Sequence, residues 1–181
     1  MDYPALLAEL GRQYPPLSKH QFGVSLGSGP YYSEFYPPWE SQNPTPGQPL
    51  IQLREKGQQL SPKSMKNLLL GETFHHLGAR DPTGVPIDPS FRMLKELFMQ
   101  NLTPQQLQRD RQSYLEQMTT GGETRSFQEW MDQSQADAYL RGYLSPINEA
   151  ERLDWASTYT PHQRRILNQM KEYLGTGVLQ P

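Results

Sequence analysis

Glu72 and His75 have the residue types and spacing to do chemistry, and His76 and Asp81 stand close enough along the chain to join them. In the helix of a zinc hydrolase, two histidines one turn apart hold the metal, and a glutamate beside the first deprotonates the metal-bound water. Glu72 and His75 occupy the glutamate and second-histidine places of that pattern, but Gly71 stands where the first ligand belongs. A three-ligand site that loses one ligand holds its ion poorly. A Zn centre built from Glu72, His75, His76 and Asp81, serving a metal-dependent hydrolase or a degenerate zincin-like relic, is therefore the alternative expectation. The leading expectation is a protein without a cofactor, in which these side chains make structural bonds on a helix face. The same two residues satisfy Glu-x-x-His, half of what a di-iron bundle requires, and no second copy exists.

Other catalytic patterns are missing. Glu34 and Glu40 could be imagined as a glycosidase pair, but their spacing carries little specificity. Gly27-Ser28-Gly29 lacks the Gly-x-Ser-x-Gly elbow of a serine hydrolase and reads as a turn. The chain has neither a Walker loop nor a dinucleotide-binding glycine pattern. With no cysteine, disulfides, thiolate metal sites and a cysteine nucleophile are excluded.

Tyr31, Tyr32, Phe35, Tyr36 and Trp39 form the densest aromatic cluster, interleaved with Pro30, Pro37 and Pro38. Aromatic rings bury large areas at low entropic cost and dominate interface energetics, while proline keeps an extended segment ordered in advance. Two placements satisfy such an arm: docking onto another protein subunit, or wrapping its own helical domain to complete the core. The arginines Arg141, Arg152, Arg164 and Arg165 read as ordinary helix-surface charges.

These residues must be positioned by a mainly α (α+β) fold, a helical domain of five to seven helices with an extended Pro/Tyr-rich N-terminal segment containing a short β-hairpin or small sheet. A first helix is expected from Pro4 to Gln13, stopped by Pro15-Pro16. Period-two alternation marks a strand through Phe22, Val24 and Leu26, the turn Gly27 to Pro30 follows, and Tyr31 to Tyr36 can pair back as a hairpin. Residues 39–49 hold four prolines or glycines and should be an ordered loop; Leu50 to Leu53 is a short strand. Helix starts then recur as a capping residue followed by proline: Ser61-Pro62, Asp88-Pro89, Thr103-Pro104, Ser145-Pro146 and Thr160-Pro161. Thr103 with Gln106, Ser126 with Glu129 and Thr160 with Gln163 have capping-box spacing.

Expected inward stripes are Met65, Leu69, Leu70, Phe74 and Leu77, closed by Gly78; Phe91, Leu94, Leu97 and Phe98; Leu107, Tyr114, Leu115 and Met118; Phe127, Trp130, Met131, Ala138 and Leu140; and Ile166, Leu167, Met170, Tyr173 and Leu174, capped by Gly175. Three of the Ser/Thr-Pro starts are equally spaced, but the apolar positions between them do not match, which argues against a repeat. The expected division is an N-terminal helix and arm over 1–60, a helical domain over 61–175 and a tail over 176–181, all in one structural unit.

Hydrophobic residues make up 35% of the 181 and the mean hydropathy is −0.78, so the core should be thin or shared with a partner. The net charge of −2 gives no basic face for nucleic acid, and direct nucleic-acid binding is not expected. No apolar run approaches membrane-spanning length and the N-terminus lacks signal-peptide character, so no membrane association and a cytoplasmic site of synthesis are expected.

The run Tyr31-Tyr32-Ser33-Glu34-Phe35-Tyr36-Pro37-Pro38-Trp39-Glu40, then Asn43-Pro44-Thr45-Pro46-Gly47, then Leu68 to Gly78, resembles segments of virion-associated proteins of tailed bacteriophages. Ser126 to Met131, Leu140-Arg141-Gly142-Tyr143 and Tyr159-Thr160-Pro161 are similar to the same kind of protein, so the resemblance spans roughly residues 20–175. It implies a small accessory or structural phage protein, made in the host cytoplasm, with other virion proteins as partners and a place in the particle. It carries no catalytic residues.

Overall fold

The computed structural model describes residues 1–179, so the end of the tail expected over 176–181 lies outside the described residues. Helix α1, Tyr3–Gln13, starts where Asp2 accepts a bond from the Ala5 amide and ends at a 3-10 turn over Pro15–Lys19. Strands β1 (Gly23–Leu26), β2 (Ser33–Tyr36) and β3 (Leu50–Leu53) lie where alternation and apolar composition place them, but the hairpin does not form. β3 inserts between the other two, parallel to β1 with Leu50 opposite Gly23 and antiparallel to β2 with Leu53 opposite Ser33. The reason is burial. Leu50, Ile51 and Leu53 are almost completely enclosed, and a strand covered on both faces takes the centre while the half-polar strands take the edges.

After a single turn, α2 (Glu55–Gln58), come α3 (Pro62–Leu77), α4 (Pro89–Gln100), α5 (Pro104–Thr120) and α6 (Phe127–Trp130). α6 runs through a π-turn, Met131–Gln135, into α7 (Ala136–Leu144), and α8 (Glu149–Ala156) and α9 (Pro161–Thr176) complete the chain. Ser61, Asp88, Thr103 and Thr160 each cap the helix that follows, and the three capping boxes form. Ser145 is different: it closes α7, buried against the preceding turn, and Asn148 caps α8 instead. The equal spacing of Ser/Thr-Pro pairs is thus not a structural period.

α3 is buried nearly all round, as a central helix must be. Leu68, Leu69, Phe74 and Leu77 join Phe91, Leu94 and Phe98 of α4, Tyr139 and Leu140 of α7, and Ile166, Leu167 and Met170 of α9 in one core. Leu10, Leu17, Ile51 and Leu53 belong to that same core, so the N-terminal segment and the helices are held together by shared apolar packing. Each such side chain, fully enclosed, contributes roughly 1.5–3 kcal/mol.

Several expected stripes are corrected. Leu107, Leu115 and Met118 of α5 are exposed, and the buried side chains of that helix are Gln106 and Asp110. Polar bonds set its rotation. Gln106 exchanges amide bonds with Gln163 at 3.2 and 2.7 Å, and the Asp110 carboxylate accepts from the Tyr139 hydroxyl at 2.9 Å. Leu97 is 37% exposed because α4 turns Lys95 and Phe98 inward. The π-turn shifts the phase of α7, so Ala136 and Tyr139 are buried and Ala138 is not. The last helix continues past Gly175 to Thr176, and Gly177 supplies the left-handed cap with φ 72°.

Candidate functional site

Period-two geometry divides the aromatic arm. On β2, Ser33 and Phe35 face inward and Glu34 and Tyr36 face the other way. The Ser33 hydroxyl donates to Glu72 Oε1 at 2.5 Å, and the Phe35 ring lies 5.2 Å from the His75 ring and 5.7 Å from that of His76. Arg54 pairs with Glu34 and donates to the Tyr36 hydroxyl. Beyond the strand the rings turn outward: Tyr31 is 69% exposed, Tyr32 39% and Trp39 37%. Phe35 therefore completes the core, while Tyr31, Tyr32 and Trp39 remain available at the surface.

A residue the sequence reading missed holds the arm's loop. Asn43 is buried, its amide donates to the carbonyls of Pro37 (3.0 Å) and Gln48 (2.8 Å), and its Oδ1 accepts from the Thr45 amide and hydroxyl. Asn43-Pro44 is itself a turn signal; its two-sided use of one amide side chain is what fixes the loop.

α3 and α7 run antiparallel, so that His75 meets Asp137 and Gly71 meets Arg141 one turn along. His75 Nδ1 lies 2.6 Å from Asp137 Oδ2, and Lys95 Nζ, from a side chain that is almost fully enclosed, donates to Asp137 Oδ1 at 2.8 Å. Arg92 donates to the Gly78 carbonyl at 2.9 Å and pairs with Asp132 at 2.7 Å. Asp132 and Asp137 are five residues apart, roughly 140° around a regular α-helix. The π-turn, with its i→i+5 bonds, brings both to the Lys95 side. Burial pulls the His75 pKa down, but the charge and hydrogen bond of Asp137 outweigh it and the net shift is upward. Asp137 is pushed up by burial and pulled down further by Lys95 and His75, ending below its ordinary range.

His76 points to the other side of α3. Its Nε2 lies 3.2 Å from His20 Nδ1, with the Phe22 ring 5.3 Å away, and its own Nδ1 is buried without a partner. Burial, then the neighbouring His20 and His75, lower its pKa to about 3, so the ring is neutral. An unpaired acceptor nitrogen costs less than an unpaired N–H, so Nε2 carries the proton and donates to His20.

The four residues considered as metal ligands are thereby dispersed. Glu72 is engaged by Ser33, His75 by Asp137, and His76 by His20, while Asp81 accepts from the Thr83 amide and hydroxyl and the Val85 amide in its own turn. Among the described residues, no three His, Asp or Glu side chains converge as a metal set. Gly71, at the vacant ligand place, is a helix-packing position: a Cβ there would come within 2.9 Å of the Arg141 side chain and 3.1 Å of the Ser145 hydroxyl.

What the arrangement does build is a cleft of about 470 Å³ between the arm and the helices. Its lining brings together Phe35, Pro37 and Trp39 of the arm, His75 of α3, Lys95 of α4, and Arg125, Asp132 and Gln133 from the segment around α6. Most of its charges are already paired within the protein, Arg125 with Glu123, Arg80 with Glu96 and Lys95 with Asp137. Glu40, which lines the cleft next to Trp39, is partly exposed and has no ion-pair partner among the described residues. Comparison with known proteins finds no family model, no curated protein and no solved structure that matches the chain.

Proposed function

We propose that the chain is a non-enzymatic protein-binding component whose aromatic arm receives a basic segment of a partner protein at the mouth of the cleft. The observation that carries this reading is the division of the arm: Phe35 is committed to the protein's own core, whereas Tyr31, Tyr32 and Trp39 stand out from it beside the unpaired Glu40. An indole face next to a free carboxylate suits an arginine or lysine side chain, which gains a cation–π contact and an ion pair together. The resemblance to virion-associated phage proteins adds the proposal that the partner is another virion protein and that the complex is part of a phage particle.

A photo-crosslinking residue placed at Tyr32 or at Trp39, in protein expressed in its native cells, tests the reading. One recurrent crosslinked protein from both positions, not obtained from a probe at the exposed Glu172 on α9, is the expected result. Crosslinks no stronger than those from Glu172 would overturn it.

A further inference from the structure

Helices in folded proteins are normally held by an apolar face turned inward. Two helices here do this with a single aromatic ring each, Tyr114 of α5 on Trp130 and Trp155 of α8 on Tyr139, while turning other apolar side chains outward. α5 buries only Gln106 and Asp110, while Leu107, Leu115 and Met118 are 36%, 58% and 46% exposed. Together with Arg111 they recur at helical spacing and make one outward stripe. α8 buries no residue at all, and its outward face carries Leu153, 57% exposed, with Ala150 and Asp154 beside it.

The charges on these faces are complementary. The Arg111 guanidinium lies over the Phe127 ring and has no carboxylate partner among the described residues. The Asp154 carboxylate likewise has no cation partner among the described residues, although the neighbouring Arg152 is taken by Glu149. The start of α5 and the end of α8 lie close together, because the Gln106 amide on the inner side of α5 donates at 2.8 Å to the carbonyl of Thr158, just beyond the end of α8.

We propose that these faces are the two halves of one self-complementary contact, through which a second copy of this chain binds across a two-fold axis. α5 of each copy takes α8 of the other, with Leu153 seated in the stripe between Leu107 and Leu115, and Asp154 reaching Arg111. A single copy carries both an apolar stripe with a cation and an apolar knob with an anion, each charge without an ion-pair partner among the described residues. A two-fold axis satisfies both at once, forms the contact twice and leaves neither half free to propagate a filament. The contact is separate from the aromatic arm and stands or falls without it.

Sedimentation velocity on the full chain, at concentrations up to roughly 200 μM, tests the proposal. Wild type should show a monomer–dimer equilibrium. R111E and D154R should each weaken it by about tenfold or more, and the double variant R111E/D154R should recover most of the loss because the ion pair is restored in reverse. L115D, at an exposed position that leaves the fold intact by circular dichroism, should abolish dimerisation. A wild type that stays monomeric, a dimer indifferent to R111E and D154R, or a double variant no tighter than its parents would each overturn the assignment. Replacing Tyr31, Tyr32 and Trp39 by serine should leave the dimer unchanged, so failure here is distinguishable from failure of the arm.

Discussion

Acidification should destabilise this protein already in the range where a free imidazole titrates, because of His76. Its ring is 2% exposed and its pKa in the fold is about 3, against about 6.5 in an unfolded chain. A group whose folded pKa is depressed contributes stability above its unfolded value and loses it as the pH falls toward the folded one. Between those values the unfolded chain binds one more proton, and stability falls by about 1.4 kcal/mol per pH unit at full effect. From pH 6 to pH 5, where the unfolded imidazole passes from about three-quarters to nearly fully protonated, the loss works out at about 1.2 kcal/mol. His20, lowered chiefly by burial, adds to it in the same direction. His75 has the opposite sign: its raised pKa gives stability that is fully present below about 6.5 and is lost as the pH rises through the folded value, so it is constant in this window. Urea denaturation at pH 7, 6 and 5 measures the slope. H76Q, which keeps a side-chain donor toward His20 but cannot titrate, should flatten most of it between pH 6 and 5. A wild type equally stable at pH 6 and 5, or an H76Q variant with an undiminished slope, would refute the assignment of a buried neutral imidazole.

Four further outcomes follow from the same geometry. D137A leaves Lys95 charged, buried and without its closest partner, and should cost about 3–5 kcal/mol by urea denaturation, whereas K95M/D137L should recover much of that. The His75 ring should titrate above its ordinary value by NMR, and the milder D137N should bring it down, because Asp137 holds the pKa up. Q163A removes an amide that ties the capping boxes of α5 and α9 together and donates to the Asn101 carbonyl, and should lower stability by about 2–4 kcal/mol in the same assay. G71H, which rebuilds the missing metal-ligand pattern, should destabilise by about 1–3 kcal/mol or more through collision with Arg141, and added zinc should not raise its melting temperature.

The helix starts were readable because a capping hydroxyl or carboxylate followed by proline is chemistry local to a few residues, and Ser61, Asp88, Thr103 and Thr160 act through the amides directly after them. The strands were readable for the same reason, but their order was not. Which strand takes the centre depends on how completely β3 is covered by helices far along the chain. The rotation of α5 escaped the hydrophobic pattern because its inward bonds run from Gln106 and Asp110 to Gln163 and Tyr139. The aromatic arm was visible as a unit, and its division into an inward Phe35 and an outward Tyr31, Tyr32 and Trp39 needed the register of β2 against β3. His75 and His76 were visible as a pair, while their separate partners, Asp137 and His20, come from other elements. The π-turn that turns Asp132 and Asp137 toward Lys95 has no local sequence mark in this chain.

The central claim, that the outward rings serve a partner while Phe35 serves the fold, is tested most directly by the thermal midpoint of the variant with Tyr31, Tyr32 and Trp39 all replaced by serine, set beside that of F35A. If the account holds, the triple variant melts within a few degrees of wild type and F35A melts substantially lower, by ten degrees or so for a loss of about 3 kcal/mol. A triple variant that melts as low as F35A would mean that those rings are structural, and would contradict it.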